Sequence, residues 1–360
     1  MTKRAVVVGA GLTGATAAHT LRLHGWDVAV YERRAWVGGN VRQSRYDDVV
    51  YDEYGPHIFH TNDHDVYDIV SRFLSPYEHY VQTELDADLR LSWPLQLDEL
   101  KELPDWRRIE KELANRPTSL PPVGSASFEE YAVALMGKTL YRLFIEGYTR
   151  KQWGCDPSTL SAAFAPKRID LRTDGDRRLF RGQRQGRLRA NALVAHLLDG
   201  CQVSCQVELT AATVPAADGY VITAPLDEFT GSAELLEWRR VDFSHTLRTT
   251  PHNHEVACLN HPVPTVPYTR TTSARLLSGK PANEFDVVTT EFPGHGVQAY
   301  PVLDQFGRNK ALQAKLVDSL TGMIRNAVPA GRLANYVYID MDQAVRQGLN
   351  AARKVLKGAE

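Results

Sequence analysis

Three glycines in the run Arg4-Ala-Val-Val-Val-Gly9-Ala-Gly11-Leu-Thr-Gly14 are spaced to bring bare backbone against a pyrophosphate. In this arrangement Gly9 permits a tight turn, Gly11 lets the phosphates approach the main chain, and Gly14 lets a helix pack closely on the strand before it. The start of that helix, running on through Ala15 to His24, offers free N–H groups to the same charge. Glu32 stands eighteen residues past Gly14 at the end of a second strand-like run, Asp27-Val-Ala-Val-Tyr-Glu32. There its carboxylate can accept hydrogen bonds from a ribose diol and would repel a 2′-phosphate.

The continuation Glu32-Arg-Arg-Ala-Trp-Val-Gly38-Gly39-Asn40 carries a second glycine pair. Bare backbone just after the acidic residue can run beside a flavin, which favours FAD over a nicotinamide cofactor. Cys201 and Cys205 enclose three residues and could form half of a metal site, but Cys201-Gln-Val-Ser-Cys205-Gln-Val alternates like a strand. The four cysteines therefore read as single thiols, with no metal expected.

These residues must be held by a fold, and the pattern around them predicts one. Strand, glycine turn, helix and strand over residues 1–65 form a βαβ FAD-binding unit. Apolar residues at three- and four-residue spacing predict helices over Val66–Phe73, Leu97–Leu113 and Phe128–Tyr148, so residues 66–150 are expected to be a mainly helical insertion. Residues 201–300 are expected to form a β-rich substrate-side sheet, with Gly219–Thr223 as a strand returning to the FAD domain. Residues 301–360 should close the FAD site, with helices over Asn309–Ala327 and Asp342–Leu356. The fold class is α/β: an FAD-binding Rossmann-like domain with a helical insertion and an antiparallel β-sheet region. A net charge of -1 over 360 residues gives no global field for nucleic acid. No apolar run approaches ~18 residues and the N-terminus enters a strand directly, so neither a membrane span nor a signal peptide is expected and the cytoplasm is the expected location.

Six separated motifs, in order along nearly the whole chain, resemble the UDP-galactopyranose mutase family: Gly55-Pro-His57-Ile-Phe-His60-Thr-Asn, Gly147-Tyr148-Thr-Arg-Lys-Gln-Trp153-Gly, Lys167-Arg168-Ile, Val266-Pro-Tyr-Thr-Arg270, Tyr300-Pro-Val, and Gly331-Arg332-Leu-Ala-Asn-Tyr-Val-Tyr338-Ile-Asp340-Met341-Asp-Gln. The resemblance implies isomerisation of UDP-galactopyranose to UDP-galactofuranose by reduced FAD, through a covalent adduct between flavin N5 and the sugar and with no net redox. It also implies a reductant for the flavin, and leaves a homodimer open. By this resemblance residues 151–200 are a substrate lid and sugar-channel segment. Arg168 and Arg270 correspond to the family's diphosphate-binding arginines, Arg168 on its mobile lid. Tyr300 and Tyr338 correspond to tyrosines that donate hydroxyls to the same diphosphate. Tyr148 matches the uridine-stacking tyrosine, Trp153 the tryptophan along the sugar channel, and Asn260 an asparagine that reads the uracil edge. His57 and His60 flank the flavin, His60 on a loop that responds to its redox state. Gly331, Arg332, Asp340 and Met341 close the FAD site, where the N-terminus of a late helix points at the flavin pyrimidine ring. If the segment around Tyr338 is extended, Asp340 shares its face.

The chain departs from the family at Leu179, where a diphosphate-contacting tyrosine is expected, and over Arg181–Arg189, which lacks the usual Gly-x-Pro-x-Gly-Gly-Tyr pattern. Arg181, Arg184, Arg187 and Arg189 are expected either to replace the missing donor electrostatically or to mark a different leaving group. The alternatives to the UDP-galactose reaction are thus a mutase of another nucleotide sugar, such as a UDP- or dTDP-deoxysugar, then an amine-oxidase-like flavin oxidoreductase, and last a flavoprotein that binds nucleotide without turnover.

Overall fold

The computed structural model describes residues 2–249, 254–280 and 285–358. Its centre is a five-stranded parallel sheet in the order Gln202–Cys205, Asp27–Glu32, Arg4–Val8, Gly219–Ile222, Ala327–Pro329. The continuous apolar run Ala5–Val8 is what a strand covered on both faces requires. Ala5 and Val7 pack towards the helices Leu12–Leu23, Ala190–Leu198 and Met341–Gly358. Val6 and Val8 point the other way, onto Phe229 and onto Leu316 and Leu320 of the helix Arg308–Met323.

A second sheet of seven strands runs in the order Val297–Pro301, Trp238–Arg248, Asp286–Pro293, Arg270–Ser273, Cys258–Asn260, Val81–Asp86, Leu89–Trp93. It is antiparallel except where Cys258–Asn260 pairs parallel with Val81–Asp86. Two expectations change here. The region 66–150 is not mainly helical from its start, because residues 81–93 form a hairpin that closes this sheet. The substrate-side sheet begins at Trp238 rather than at residue 201, because both Gln202–Cys205 and Gly219–Ile222 belong to the parallel sheet.

The helices also differ in their breaks. The segment Leu97–Leu113 is split into Leu97–Leu100 and Trp106–Ala114, since Pro104 between them lacks the N–H that a continuous helix needs. Phe128–Tyr148 becomes Phe128–Leu140, a wide π turn over Tyr141–Glu146, and Gly147–Trp153. Ser127 and Glu130 form a capping box at its start. Inside the first of these segments Gly137 adopts φ 82°, ψ 163°, a conformation essentially confined to glycine. The resulting break lets Glu112 accept hydrogen bonds from Thr139 N and Oγ1, at 2.7 and 2.9 Å. The late helices begin close to the expected places, at Arg308 and Met341, but the first ends at Met323 and yields to the strand Ala327–Pro329. Among the described residues no helix is long and apolar enough to cross a membrane.

A Cβ on Gly137 would lie 2.8 Å from Glu112 Oε2. Gly137→Ala should therefore lower the unfolding free energy by about 1–3 kcal/mol, measured by urea denaturation. The visible absorbance of bound cofactor should not change, because the break lies in the helical layer and not at the cleft.

Candidate active site

The glycine turn opens one end of a cleft lined by the first strand–helix junction, Glu32, Gly38–Asn40 and His57, and closed by Gly331, Arg332, Asp340 and Met341. Gly9 has φ 98°, and a Cβ there would strike the Thr223 hydroxyl. A Cβ on Gly14 would strike the Gly9 carbonyl oxygen, so the helix can lie this close to the turn only with glycine. Gly11 is different. An added Cβ would meet only Gly39 Cα, at 3.9 Å, and its backbone is open to the cleft beside Gly38, with which it forms a parallel bridge. Glu32 is buried, its two oxygens accepting from Ala10 N and Arg34 N at 2.9 Å each.

These residues fit FAD. The cleft runs from the glycine turn past Glu32 to Asp340 and Met341, bare backbone faces it at Gly11, and Arg34 Nη1 is buried at its wall without a partner among the described residues. At the far end the helix Met341–Gly358 starts on the cleft, its first turn closed by Ala344 N donating to Asp340 O at 3.0 Å.

Beyond that end lie two arginines. Arg270 donates from Nε to Asn260 Oδ1 at 3.3 Å, from Nη1 to Glu291 Oε1 at 3.4 Å and from Nη2 to Tyr148 Oη at 3.2 Å. A guanidinium has five N–H groups, so two remain for a ligand. Arg168 donates from Nη2 to Asp340 Oδ1 at 2.9 Å and lies over the Tyr338 ring at 4.4 Å. Its Nε is buried without a partner among the described residues. Trp153, Tyr300 and Tyr338 pack together, with centroids 5.3–6.1 Å apart. Arg332 holds this group from the cleft side, donating to Ala299 O and Ile339 O at 2.9 and 2.5 Å.

Burial pushes the hydroxyls of Tyr148 and Tyr300 to higher pKa, so both stay protonated and can donate. Burial alone would raise the Asp340 carboxyl, but the charge of Arg168 outweighs it and holds the group below the usual carboxylate range. Asp342, one turn-start further on, is pushed up by burial. Asp340 and Tyr338 both reach Arg168, as an extended segment requires.

Not every expected residue sits where the resemblance put it. Asn260 is buried with its amide oxygen on Arg270, so it orients that guanidinium. His57 lines the cleft and is held by Asp52, which accepts from His57 N at 2.9 Å and lies 3.6 Å from its Nδ1. His60 does not line the cleft. Its Nδ1 is 2.8 Å from Gln183 Oε1 and its ring stacks on Phe180 at 3.7 Å.

The four lid arginines do not compensate for Leu179. Arg181 pairs with Asp174, Arg184 lies over Tyr67, Arg187 pairs with buried Asp52, and Arg189 donates to Arg72 O. Leu179 itself packs beside Phe180 and Tyr77 on an apolar cluster of Ile58, Val81, Ala257, Cys258 and Leu277. Nearby His79 is buried, and desolvation, then the charges of Arg270, His60 and Arg187, pushes it down to about 3, so the ring is neutral at pH 7.

Glu291, Asp52 and Lys151 escape a reading of the sequence, as does the pairing of Arg187 with Asp52. Glu291 carried one usable signal, a carboxylate closing the apolar strand that begins at Asp286.

Burial raises the Asp52 carboxyl, but Arg187 first and then His57 outweigh it and hold it well below the usual range. The stability this carries is complete above the unfolded carboxyl value of ~3.9 and is lost as pH falls through the lower folded value. Asp52→Asn should reduce stability at neutral pH by about 3–5 kcal/mol, because Arg187 is left buried and unpaired. The variant should also lack that component of acid destabilisation, read from urea unfolding midpoints across an acid pH series.

A family model for UDP-galactopyranose mutase matches residues 143–338, and one for NAD(P)-binding Rossmann-like domains matches residues 7–73. A probable UDP-galactopyranose mutase of Klebsiella pneumoniae is 30% identical over 98% of this chain and 95% of its own length. A dTDP-fucopyranose mutase of Escherichia coli is 26% identical over 98% of each. A crystal structure of reduced UDP-galactopyranose mutase shares the fold with a TM-score of 0.80, at 18% identity over 99% of this chain and 96% of the other. With the model spanning more than half of the sequence and a 30% identical relative aligned along nearly all of it, the chain belongs to the UDP-galactopyranose mutase family.

Proposed function

We propose that this protein interconverts UDP-galactopyranose and UDP-galactofuranose. The observation that carries the reading is the pair Arg168 and Arg270 just past the closed end of a cleft shaped for FAD, each with one carboxylate partner and spare N–H groups. In the reaction the bond from the anomeric carbon to the diphosphate oxygen breaks with its electron pair on UDP. The ring reopens at O5 and recloses through O4, one proton moving from O4 to O5, and the same UDP bond re-forms. Bound and reduced, FAD supplies a nucleophile to the anomeric carbon while UDP is detached. The protein must keep the detached diphosphate at hand, which is the task of Arg168 and Arg270 with hydroxyls from Tyr300 and Tyr338. Tyr148 presents a ring to the uracil, and Trp153 lines the sugar path. Gly9, Gly11, Gly14, Glu32, Gly38, Gly39, Asn40 and His57 hold the cofactor with Gly331, Arg332, Asp340 and Met341. His60, against Phe180 and Gln183, links the lid to the flavin end. A reductant for the flavin is a required partner. Four free thiols agree with a reducing, cytoplasmic setting.

A second reading has one observation behind it. Leu179 is apolar and packed on an apolar cluster, and the lid arginines are taken by other partners, so one diphosphate donor of the family pattern is lacking and a different nucleotide sugar would suit the site. The relative named for dTDP-fucopyranose marks the chemistry to try.

Incubating dithionite-reduced protein with UDP-galactose, UDP-fucose and dTDP-fucose and separating the isomers decides between the two. The expected result is a product of unchanged mass from UDP-galactose, formed only by the reduced protein. A deoxysugar nucleotide turned over at least about tenfold faster, roughly 1.4 kcal/mol in the transition state, would establish the second reading instead. Arg270→Ala should lower kcat/KM by about 10²–10³ while the flavin absorbance stays that of wild type. Near-normal turnover would remove Arg270 from the site.

A further inference from the structure

The connection His261-Pro-Val-Pro-Thr-Val-Pro-Tyr268 joins the strand ending at Asn260 to the strand beginning at Arg270. Prolines 262, 264 and 267 have no N–H, so this loop has more carbonyls than its own backbone can satisfy. Four of them converge on one atom. Lys151 Nζ lies 2.6 Å from His261 O, 3.0 Å from Val263 O, 2.9 Å from Val266 O and 3.0 Å from Tyr268 O. The side chain makes no ion pair among the described residues, and an ammonium has only three N–H groups. Four carbonyl dipoles around one cation is the arrangement by which backbone replaces the hydration shell of a monovalent ion.

Lys151 sits on the helix Gly147–Trp153, between Tyr148 and Trp153. The helix is pressed against the same loop, since a Cβ on Gly147 would strike Pro262 O. Arg239, from the seven-stranded sheet, fixes the helix end by donating to Gln152 O and Lys151 O at 2.7 Å each.

We propose that Lys151 is a positioning residue, a tethered monovalent cation whose four-carbonyl cage locks the 261–268 loop to the Tyr148 helix and so holds Arg270 in register with Tyr148. The role rests on the reading of Arg270 as a diphosphate ligand. Removing the ammonium leaves a cage with its carbonyls unsatisfied, and that cage takes K⁺ or NH₄⁺ from solution.

The test uses FAD-loaded Lys151→Ala, with UDP affinity measured by titration and amide hydrogen exchange followed at Val263, Thr265 and Val266. UDP binding should weaken at least tenfold with the flavin spectrum unchanged, and exchange in the loop should accelerate. Potassium or ammonium chloride should reverse both in part, tetramethylammonium chloride at the same ionic strength should not, and wild type should respond to none of them. Wild-type affinity in the variant, or a loss that no small cation restores, overturns the proposal. If the alanine variant does not fold, Lys151→Met keeps a four-atom apolar chain without the charge or its N–H donors, and unchanged loop exchange there is equally decisive against it. Wild-type protein that binds no UDP would count against the functional reading instead, and the exchange and cation arms would still judge Lys151.

Discussion

A guanidinium withdrawn from bulk water must be given a counter-charge, and the site is organised around giving one carboxylate to each of two arginines without exhausting either. Glu291, whose side chain is 2% exposed, faces Arg270, and Asp340 faces Arg168. Leaving buried Glu291 without its partner would cost about 3–5 kcal/mol, whereas Arg168 and Asp340 keep contact with solvent and their pairing contributes less. Two carboxylates also leave the cluster of Arg168, Arg270 and Arg332 with net positive charge, which is what a dianion entering and leaving requires. To meet this condition two sheets, the Gly147–Trp153 helix and the 331–340 segment must converge, and most of the topology serves that meeting.

Strand register carries the electrostatics. Arg270 is paired directly with Glu291 on one neighbour and with Asn260 on the other, so its counter-charge and its orienting amide are both cross-strand partners. A slip of one residue would turn each to the opposite face. The same carboxylate ties in the flavin end. A Cβ on Gly55 would come within 3.2 Å of Glu291 Oε1, so the loop carrying His57 packs directly on the arginine's partner. One buried carboxylate thus touches both Arg270 and the loop that leads to His57.

The βαβ unit was legible because its chemistry is local: glycines are demanded by backbone approach within a few residues, and Glu32 follows at the end of the adjacent strand. Arg168, Arg270 and the tyrosines were legible only through motifs, and the structure does gather them. What failed to show was long-range pairing. Asp52 and Arg187 are 135 positions apart, and nothing in Arg181–Arg189 distinguishes an arginine bound for a buried carboxylate from one facing a ligand. Periodicity missed the breaks at Pro104 and Gly137, because a helical pattern of apolar residues continues across both. The hairpin 81–93 was hidden for a related reason, since its pairing partner Cys258–Asn260 lies far along the chain.

The lid region divides by the strength of what holds it. Strand Arg184–Leu188 is fixed, hydrogen-bonded on both sides to Ile58–Thr61 and Leu74–Pro76 and anchored by buried Arg187 on Asp52. Before it, residues 174–181 combine surface pairs, Arg177 with Asp98 and Glu99, Arg178 with Glu78 and Asp176, Arg181 with Asp174, with stronger attachments: Arg172 donates to the carbonyls of Asp176, Arg178 and Leu179, Leu179 N donates to His79 O, and Leu179 and Phe180 pack on the apolar cluster around Ile58. Exposed pairs of this kind contribute about 0–1 kcal/mol each and weaken with salt. Salt therefore removes little of the hold on residues 174–181, because the carbonyl contacts of Arg172 and the apolar packing of Leu179 and Phe180 remain. Arg168 follows the turn holding buried Ala162, Phe164 and Ala165 and precedes buried Ile169, with its carboxylate partner, Asp340, on the closing segment of the cofactor cleft. The freedom at Arg168 thus lies in its partly exposed side chain rather than in its backbone, which is anchored in the core on both sides.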